Sequence, residues 1–155
     1  ALAILGVQSA GFALFYGIEN SCTLKRTGGS MKMQKNSKMV HYEVIQNCLV
    51  IYISNDLDHH TVTLLRDYSD RLIEAGNIRH IVFDFTDVDF MDSSGIGLIM
   101  GRYKKVMFLG GKAAVSHVGE MVNRIFGLSG LYKIIEKYDT AKDAVEALTK
   151  GGKAV

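Results

Sequence analysis

Two adjacent hydroxyls and three glycines share one short stretch of this chain: Asp92-Ser93-Ser94-Gly95-Ile96-Gly97, continuing to Gly101. An apolar run beginning at Ile78 leads towards it and a helical pattern follows it, so it lies where a strand gives way to a helix N-terminus. Such a terminus presents unpaired backbone N–H groups and a partial positive charge, which suits a phosphate. Two chemistries fit. The phosphate belongs to a nucleotide cradled by the glycines, or it is attached covalently to a serine.

The nucleotide reading meets two objections. Gly95-x-Gly97-x-x-x-Gly101 is one residue too long for the dinucleotide fingerprint, and no Lys-Ser/Thr pair follows as in a P-loop. A serine hydrolase fits less well, because Ser93 and Ser94 are not flanked in the G-x-S-x-G manner of a nucleophile elbow. His59-His60 is the most prominent histidine pair. Adjacent residues do not share a helix face, and helical zinc pairs are spaced i, i+4, so the pair reads as a polar turn entering a helix. Asp56 and Asp58 read as its turn and cap residues. No metal or cofactor is expected.

The covalent reading rests on the helix itself. Ile96, Ile99, Met100, Tyr103, Val106 and Met107 form one apolar stripe, leaving Ser94, Gly97, Leu98, Gly101 and Lys105 on the side away from it. A glycine in a helix interior costs about 1 kcal/mol relative to alanine, and its return is close approach of another backbone. Leu98 beside the glycines reads as an exposed apolar contact. The strip is thus a docking face for a protein, with the serines at its upper end. The alternative is that the glycines pack beneath a neighbouring loop and the serines only cap the helix. The wheel turns Ser94 outward and leaves the direction of Ser93 open, so pattern alone does not choose between the hydroxyls.

The elements that position this stretch follow from periodicity and turn residues. Val40 to Ile45 and Leu49 to Ile53 read as a hairpin reversing at Gln46-Asn47. A helix from Thr61 stops at Gly76-Asn77, and Ile78 to Phe85 is a strand covered on both faces. The central helix ends near Leu109, with Gly110-Gly111 as its stop. Lys112 to Val118 is a short strand, and a helix through Met121, Val122, Ile125 and Phe126 ends at Gly127 or Gly130. Leu131 to Tyr138 reads as a last strand, and Thr140 with Asp143 caps a final helix that buries Ala144, Val145 and Leu148. The order β-β-α-β-α-β-α-β-α implies an α/β fold: a mixed, mostly parallel sheet with helices packed on it.

Composition agrees with one domain. The chain has 155 residues, 48% apolar and 22% charged, with no proline, so turns fall to Gly, Asn, Asp and Ser. A net charge of +2 with scattered Lys and Arg leaves no footprint for nucleic acid. Cys22 and Cys48 lack metal or redox spacing, which makes a reducing, cytoplasmic setting the default. Residues 1–18 are uncharged, but Gly6, Gln8, Ser9, Gly11 and Gly17 dilute them as a membrane span, and no basic region opens them as a signal peptide. Met31, Met33 and Met39 precede the first patterned segment, and residues 26–30 could be encoded by a purine-rich, ribosome-binding-like sequence. The expectation is a product starting at Met31, with residues 1–30 a non-native leader and the folded domain over 39–150.

Phe90-Met91-Asp92-Ser93-Ser94-Gly95-Ile96-Gly97, with Gly101-Arg102-Tyr103-Lys104, resembles the STAS domain of bacterial anti-sigma factor antagonists. Asp56-Leu57-Asp58-His59-His60-Thr61, Ile78-Arg79-His80-Ile81-Val82 and Leu128-Ser129-Gly130-Leu131 agree, and point to the sporulation sigma-F kind. The resemblance implies a binding protein, not an enzyme. Its partners would be a nucleotide-bound anti-sigma factor serine kinase, which phosphorylates the first serine, Ser93, and a serine phosphatase that reverses this. Asp58, with His59 beside it, matches an acid that supports partner binding. Asp92, Ser93, Ser94, Gly95, Gly97, Leu98 and Gly101 complete the expected docking surface. Neither nucleic acid nor membrane is implied. The nearest alternative is the same fold in a general-stress or stressosome circuit; the alternative of another class is a nucleotide-binding protein using the Gly95–Gly101 turn.

Overall fold

The computed structural model describes residues 22–27, 30–35, 40–54, 56–57 and 59–150. Among the described residues seven strands form one sheet: β1 (Cys22–Thr27), β2 (Ser30–Lys35), β3 (Val40–Ile45), β4 (Cys48–Ile53), β5 (His80–Asp84), β6 (Ala113–Ser116) and β7 (Glu136–Tyr138). They lie side by side in chain order. The first four pair antiparallel, and β4 to β7 pair parallel. Helices α1 (His59–Ala75), α2 (Ser93–Phe108) and α3 (Glu120–Ser129) connect the parallel strands, and α4 (Ala141–Lys150) follows β7.

Right-handed crossovers that all advance in one direction place their helices on one face of the sheet. The period of two along each strand then divides the core. Leu49, Ile51, Ile53, Ile81, Phe83 and Val115 pack with Leu65, Leu98, Ile99 and Phe126 of the three crossover helices. Cys48, Val50, Val82 and Ala114 face the other way and pack with Ala141, Ala144, Val145 and Leu148 of α4. The Cys48 thiol is buried, which pushes its pKa up to about 12 and leaves it an unreactive core residue.

From β3 onward the element order matches the sequence reading. The hairpin turns at Gln46-Asn47 with Ile45 opposite Cys48, and Gln46 has φ 56°. Gly110 and Gly130 both adopt φ 76° where α2 and α3 stop. Gly111 is fixed by space instead: a Cβ there would lie 1.5 Å from the carbonyl oxygen of Arg79. Thr140 caps α4 by accepting from the Asp143 N–H at 3.1 Å.

One expectation changes. Leu131 to Tyr138 is not one strand. Leu131–Lys133 is a 3₁₀ turn, because the N–H groups of Lys133, Ile134 and Ile135 donate back to Gly130 and Leu131 and cannot join a ladder; β7 begins only at Glu136. Of the expected 1–30 leader, residues 1–21 and 28–29 lie outside the described residues; Cys22–Thr27 form β1 and Ser30 opens β2.

Four loops, each leading from a parallel strand into the next helix, therefore gather along one edge of the sheet. In open α/β sheets this carboxyl edge is where binding sites form.

Candidate functional site

At the head of α2, Asp92 is the N-cap, with φ −98° and ψ −173°. Its Oδ1 accepts from the Ser94 N–H at 2.8 Å, and its carbonyl accepts from the Gly95 N–H at 3.1 Å. This is the usual way a helix satisfies its first donors. It also bears on the nucleotide reading, since a carboxylate already stands where a phosphate oxygen would accept. Ser93 is exposed, and its hydroxyl makes no hydrogen bond to another described residue. Ser94 is half-buried.

The loop before this cap is fastened to the loop before α1. Asp56 Oδ1 accepts from the N–H groups of Asp89 at 3.1 Å and Phe90 at 3.0 Å. The Leu57 N–H donates to the Phe90 carbonyl at 3.3 Å, and Leu57 and Met91 form a parallel bridge. Leu57 and Met91 are both buried, and Gly95 lies against them: a Cβ on Gly95 would meet the Met91 sulfur at 3.1 Å and Leu57 Cδ1 at 3.4 Å. The Asp56 carboxylate thus reaches across to another loop instead of capping α1. His59 opens α1 with an exposed side chain; Asp58 lies outside the described residues.

The exposed face of α2 differs from the expected one. Gly95, Leu98, Ile99, Arg102 and Val106 are the buried positions, while Met100 is 37% and Met107 47% exposed. The reason is Arg102. Its guanidinium is buried between α1 and α2, where Nη2 pairs with Asp70 Oδ1 at 2.9 Å. A hydropathy wheel counts arginine as outside, so the expected stripe was turned away from α1. Leu98 is fully buried and is not a docking residue. Gly95 is likewise buried by its own chain and packs the two loops together. The solvent face carries Ser93, Gly97, Met100 and Lys104 at i, i+4, i+7 and i+11, with Gly101 half-exposed beside them. Among the described residues nothing lies within 4 Å of a Cβ built on Gly97 or Gly101. Among the described residues, then, no loop covers Gly97 or Gly101. Met100 and Lys104 were missed by the sequence reading, although their spacing from Ser93 was available to it.

A second polar group stiffens the same edge. Asp84, buried at the end of β5, accepts from the Thr86 N–H at 3.1 Å, the Thr86 hydroxyl at 2.5 Å, the Ser116 hydroxyl at 2.8 Å and His117 Nδ1 at 2.6 Å. Burial alone would push this carboxyl up; the hydrogen bonds from His117, Thr86 and Ser116 outweigh it and hold the pKa below the ordinary range. The β5–α2 and β6–α3 loops are thereby tied at their roots. From residue 85 to 101 the chain carries Asp87 and Asp89, both exposed, and half-buried Asp92, with no lysine or arginine, so the segment around Ser93 is acidic. Among the described residues there is no group of three His, Cys, Asp or Glu side chains fit to hold a metal, and no helix long and apolar enough to cross a membrane.

Comparison with known proteins agrees with this layout. The anti-sigma F factor antagonist of Paenibacillus polymyxa is 38% identical over 116 residues, covering 75% of this chain and 97% of that protein. The solved structure of the anti-sigma factor antagonist SpoIIAA in its unphosphorylated form matches with a TM-score of 0.64 at 26% identity, covering 75% of this chain and 97% of the other. The Bacillus cell fate determinant SpoIIAA in its phosphorylated form matches with a TM-score of 0.56 at 25% identity, covering 81% and 97%. Residues 39–144, well over half of the sequence, match the STAS domain, and the chain belongs to that family.

Proposed function

We propose that this chain is a phosphorylation-switched anti-sigma factor antagonist working in the cytosol, a regulatory binding protein and not an enzyme. Its unphosphorylated form docks on a nucleotide-bound anti-sigma factor serine kinase and so releases a sigma factor, that of the sporulation sigma-F circuit. The kinase phosphorylates Ser93, which blocks docking, and a serine phosphatase restores it. One observation carries this reading: an exposed Ser93 hydroxyl heads a helix face on which Gly97 and Gly101 stand open. The names of the relatives support the class, and one related structure is of a phosphorylated form.

The mechanism is local. A phosphoserine adds about −1.5 to −2 charges at neutral pH. In the free protein the helix N-terminus contributes about 0.3–1 kcal/mol towards tolerating it, opposed by Asp92. At a packed interface the phosphate must lose its water, and an uncompensated buried charge costs about 3–5 kcal/mol. That corresponds to a loss of affinity of roughly a hundred- to several-thousand-fold.

Binding to the nucleotide-loaded kinase tests it. Ser93→Ala should bind and take up no phosphate, Ser94→Ala should still be phosphorylated, and Ser93→Asp should bind at least about 100-fold more weakly, the lower end of that range. Tight binding by Ser93→Asp would refute charge exclusion. Amide shifts on phosphorylation far from the α2 N-terminus would refute its locality.

A further inference from the structure

The docking face has two parts that are distant in sequence, the segment entering α1 and the segment entering α2. Beside the Leu57–Met91 bridge and the Leu57 N–H to Phe90 carbonyl bond, one side chain joins them, the Asp56 carboxylate, 33 and 34 residues before the two amides it binds. We propose that Asp56 is a positioning residue of the switch: it fixes the 89–92 loop, and with it the N-cap and Ser93, in the geometry that the kinase recognises. The proposal rests on the reading of Ser93 given above.

Three observations carry it. First, a single carboxylate oxygen takes two consecutive backbone N–H groups, a charge-assisted arrangement stronger than two neutral hydrogen bonds. Second, the remaining ties of this loop leave the two amides at its middle without another acceptor. Val88 donates to Phe85, Leu57 donates to Phe90, and Met91 is buried, but the N–H groups of Asp89 and Phe90 have only Asp56 among the described residues. Third, Asp89 and Phe90 are themselves exposed, Phe90 at 53%, so core packing does not hold them. Two residues further on stands Asp92, whose cap sets where the first turn of α2 begins. Release of Asp89 and Phe90 would let this cap and the Ser93 hydroxyl wander while the hydrophobic core stays intact.

A positioning role and a direct charge contact with the partner make different predictions for one pair of variants. Asp56→Asn keeps an oxygen that can accept from both amides and removes the charge; Asp56→Ala removes both. Amide hydrogen exchange is measured first, in the free protein, because it does not depend on the kinase. Exchange at Asp89 and Phe90 should quicken by about tenfold or more in Asp56→Ala, remain near the wild-type rate in Asp56→Asn, and remain unchanged at buried Val82 and Phe83 in both. In steady-state phosphorylation, Asp56→Ala should lower kcat/KM for Ser93 by about ten- to a hundredfold, and Asp56→Asn should recover most of the loss. Asp56→Ser, too short to span both amides, replaces Asp56→Ala if that variant does not fold.

Unchanged exchange in Asp56→Ala overturns the proposal. Equal loss of phosphorylation in both variants, with exchange altered only in Asp56→Ala, also overturns it and assigns Asp56 to direct charge contact. If the wild-type protein receives no phosphate on Ser93, the switch reading fails, and the exchange pattern still decides whether Asp56 holds the loop.

Discussion

At the scale of single residues, Gly97 and Gly101 separate stability from function. Neither has a φ that demands glycine, and neither has a neighbour among the described residues that a methyl group would strike. Gly97→Ala and Gly101→Ala should therefore each stabilise the isolated protein by about 0.5–1 kcal/mol, read from urea denaturation. The same variants should weaken docking on the kinase, because the added methyl keeps the partner backbone off the helix. Stabilisation with undiminished affinity would show that this face is not where the partner sits. Gly95 and Gly111 behave oppositely, since their space is already filled from within the chain. A glycine motif in a sequence thus mixes positions open to solvent with positions filled by the fold, and only the surroundings sort them. The cluster of serines and glycines at a helix start was legible as a stretch to look at, but pattern alone did not choose Ser93 over Ser94, nor tell the open glycines from the packed ones. The Asp56 tie was not, because nothing local to Asp56 announces a hydrogen bond 33 residues away.

Among the elements, α2 is the one whose orientation decides the site. Its start near the two serines and its Gly110-Gly111 stop were legible, but the Asp92 cap and the roll of the helix were not. The apolar count along the helix favours one stripe, and the Arg102–Asp70 pair with Lys105 at 3.1 Å from the same oxygen pulls the helix toward α1. Arg102 is 6% exposed and Asp70 25%, so the pair is screened from water on one side only. Burial lowers the Arg102 pKa, partly countered by Asp70, yet the guanidinium stays charged. Arg102→Ala should cost about 2–4 kcal/mol, through lost packing of the alkyl stem and a carboxylate left short of a partner. Arg102→Met, which fills the volume, should recover part of that loss. Both can be read from denaturation midpoints, and exchange of α2 amides would show whether the helix rolls when the pair is gone. β7 teaches a similar lesson, because Ile134-Ile135 reads as strand although the left-handed Gly130 has already committed the chain to a turn.

For the whole molecule, charge is distributed unevenly. The net charge is +2, yet the segment that presents Ser93 is purely acidic. A partner face that accepts it should be basic, and the association rate with the kinase should fall about tenfold or more as ionic strength rises from about 50 to 500 mM. The dissociation rate should change much less. pH acts at the opposite edge. His80 is buried and its Nδ1 accepts from the Lys112 N–H at 3.0 Å. Burial first, then the charges of Arg79 and Lys112, lower its pKa from the ordinary 6.5. The unfolded chain therefore binds a proton that the folded chain refuses. This contribution to stability is complete above about pH 6.5 and is lost as pH falls through the lowered folded value. His80→Gln should flatten the dependence of the denaturation midpoint over that window. The held-down pKa of Asp84 works with the same sign in a more acidic window, below the ordinary carboxylate range.

The position of α4 has a consequence for how the chain is made. Its ten residues are the last described in the sequence, yet among the described residues they cover the second face of the sheet, over Cys48, Val50, Val82 and Ala114. During synthesis every strand of that face leaves the ribosome before its cover does. At about 5–20 residues per second, the interval from Ala114 to Leu148 lasts a few seconds, and throughout it a nearly complete sheet shows an apolar stripe to the cell. A chain cut short before Ala141 would keep that stripe for good and should be recovered as aggregate or lost to proteases.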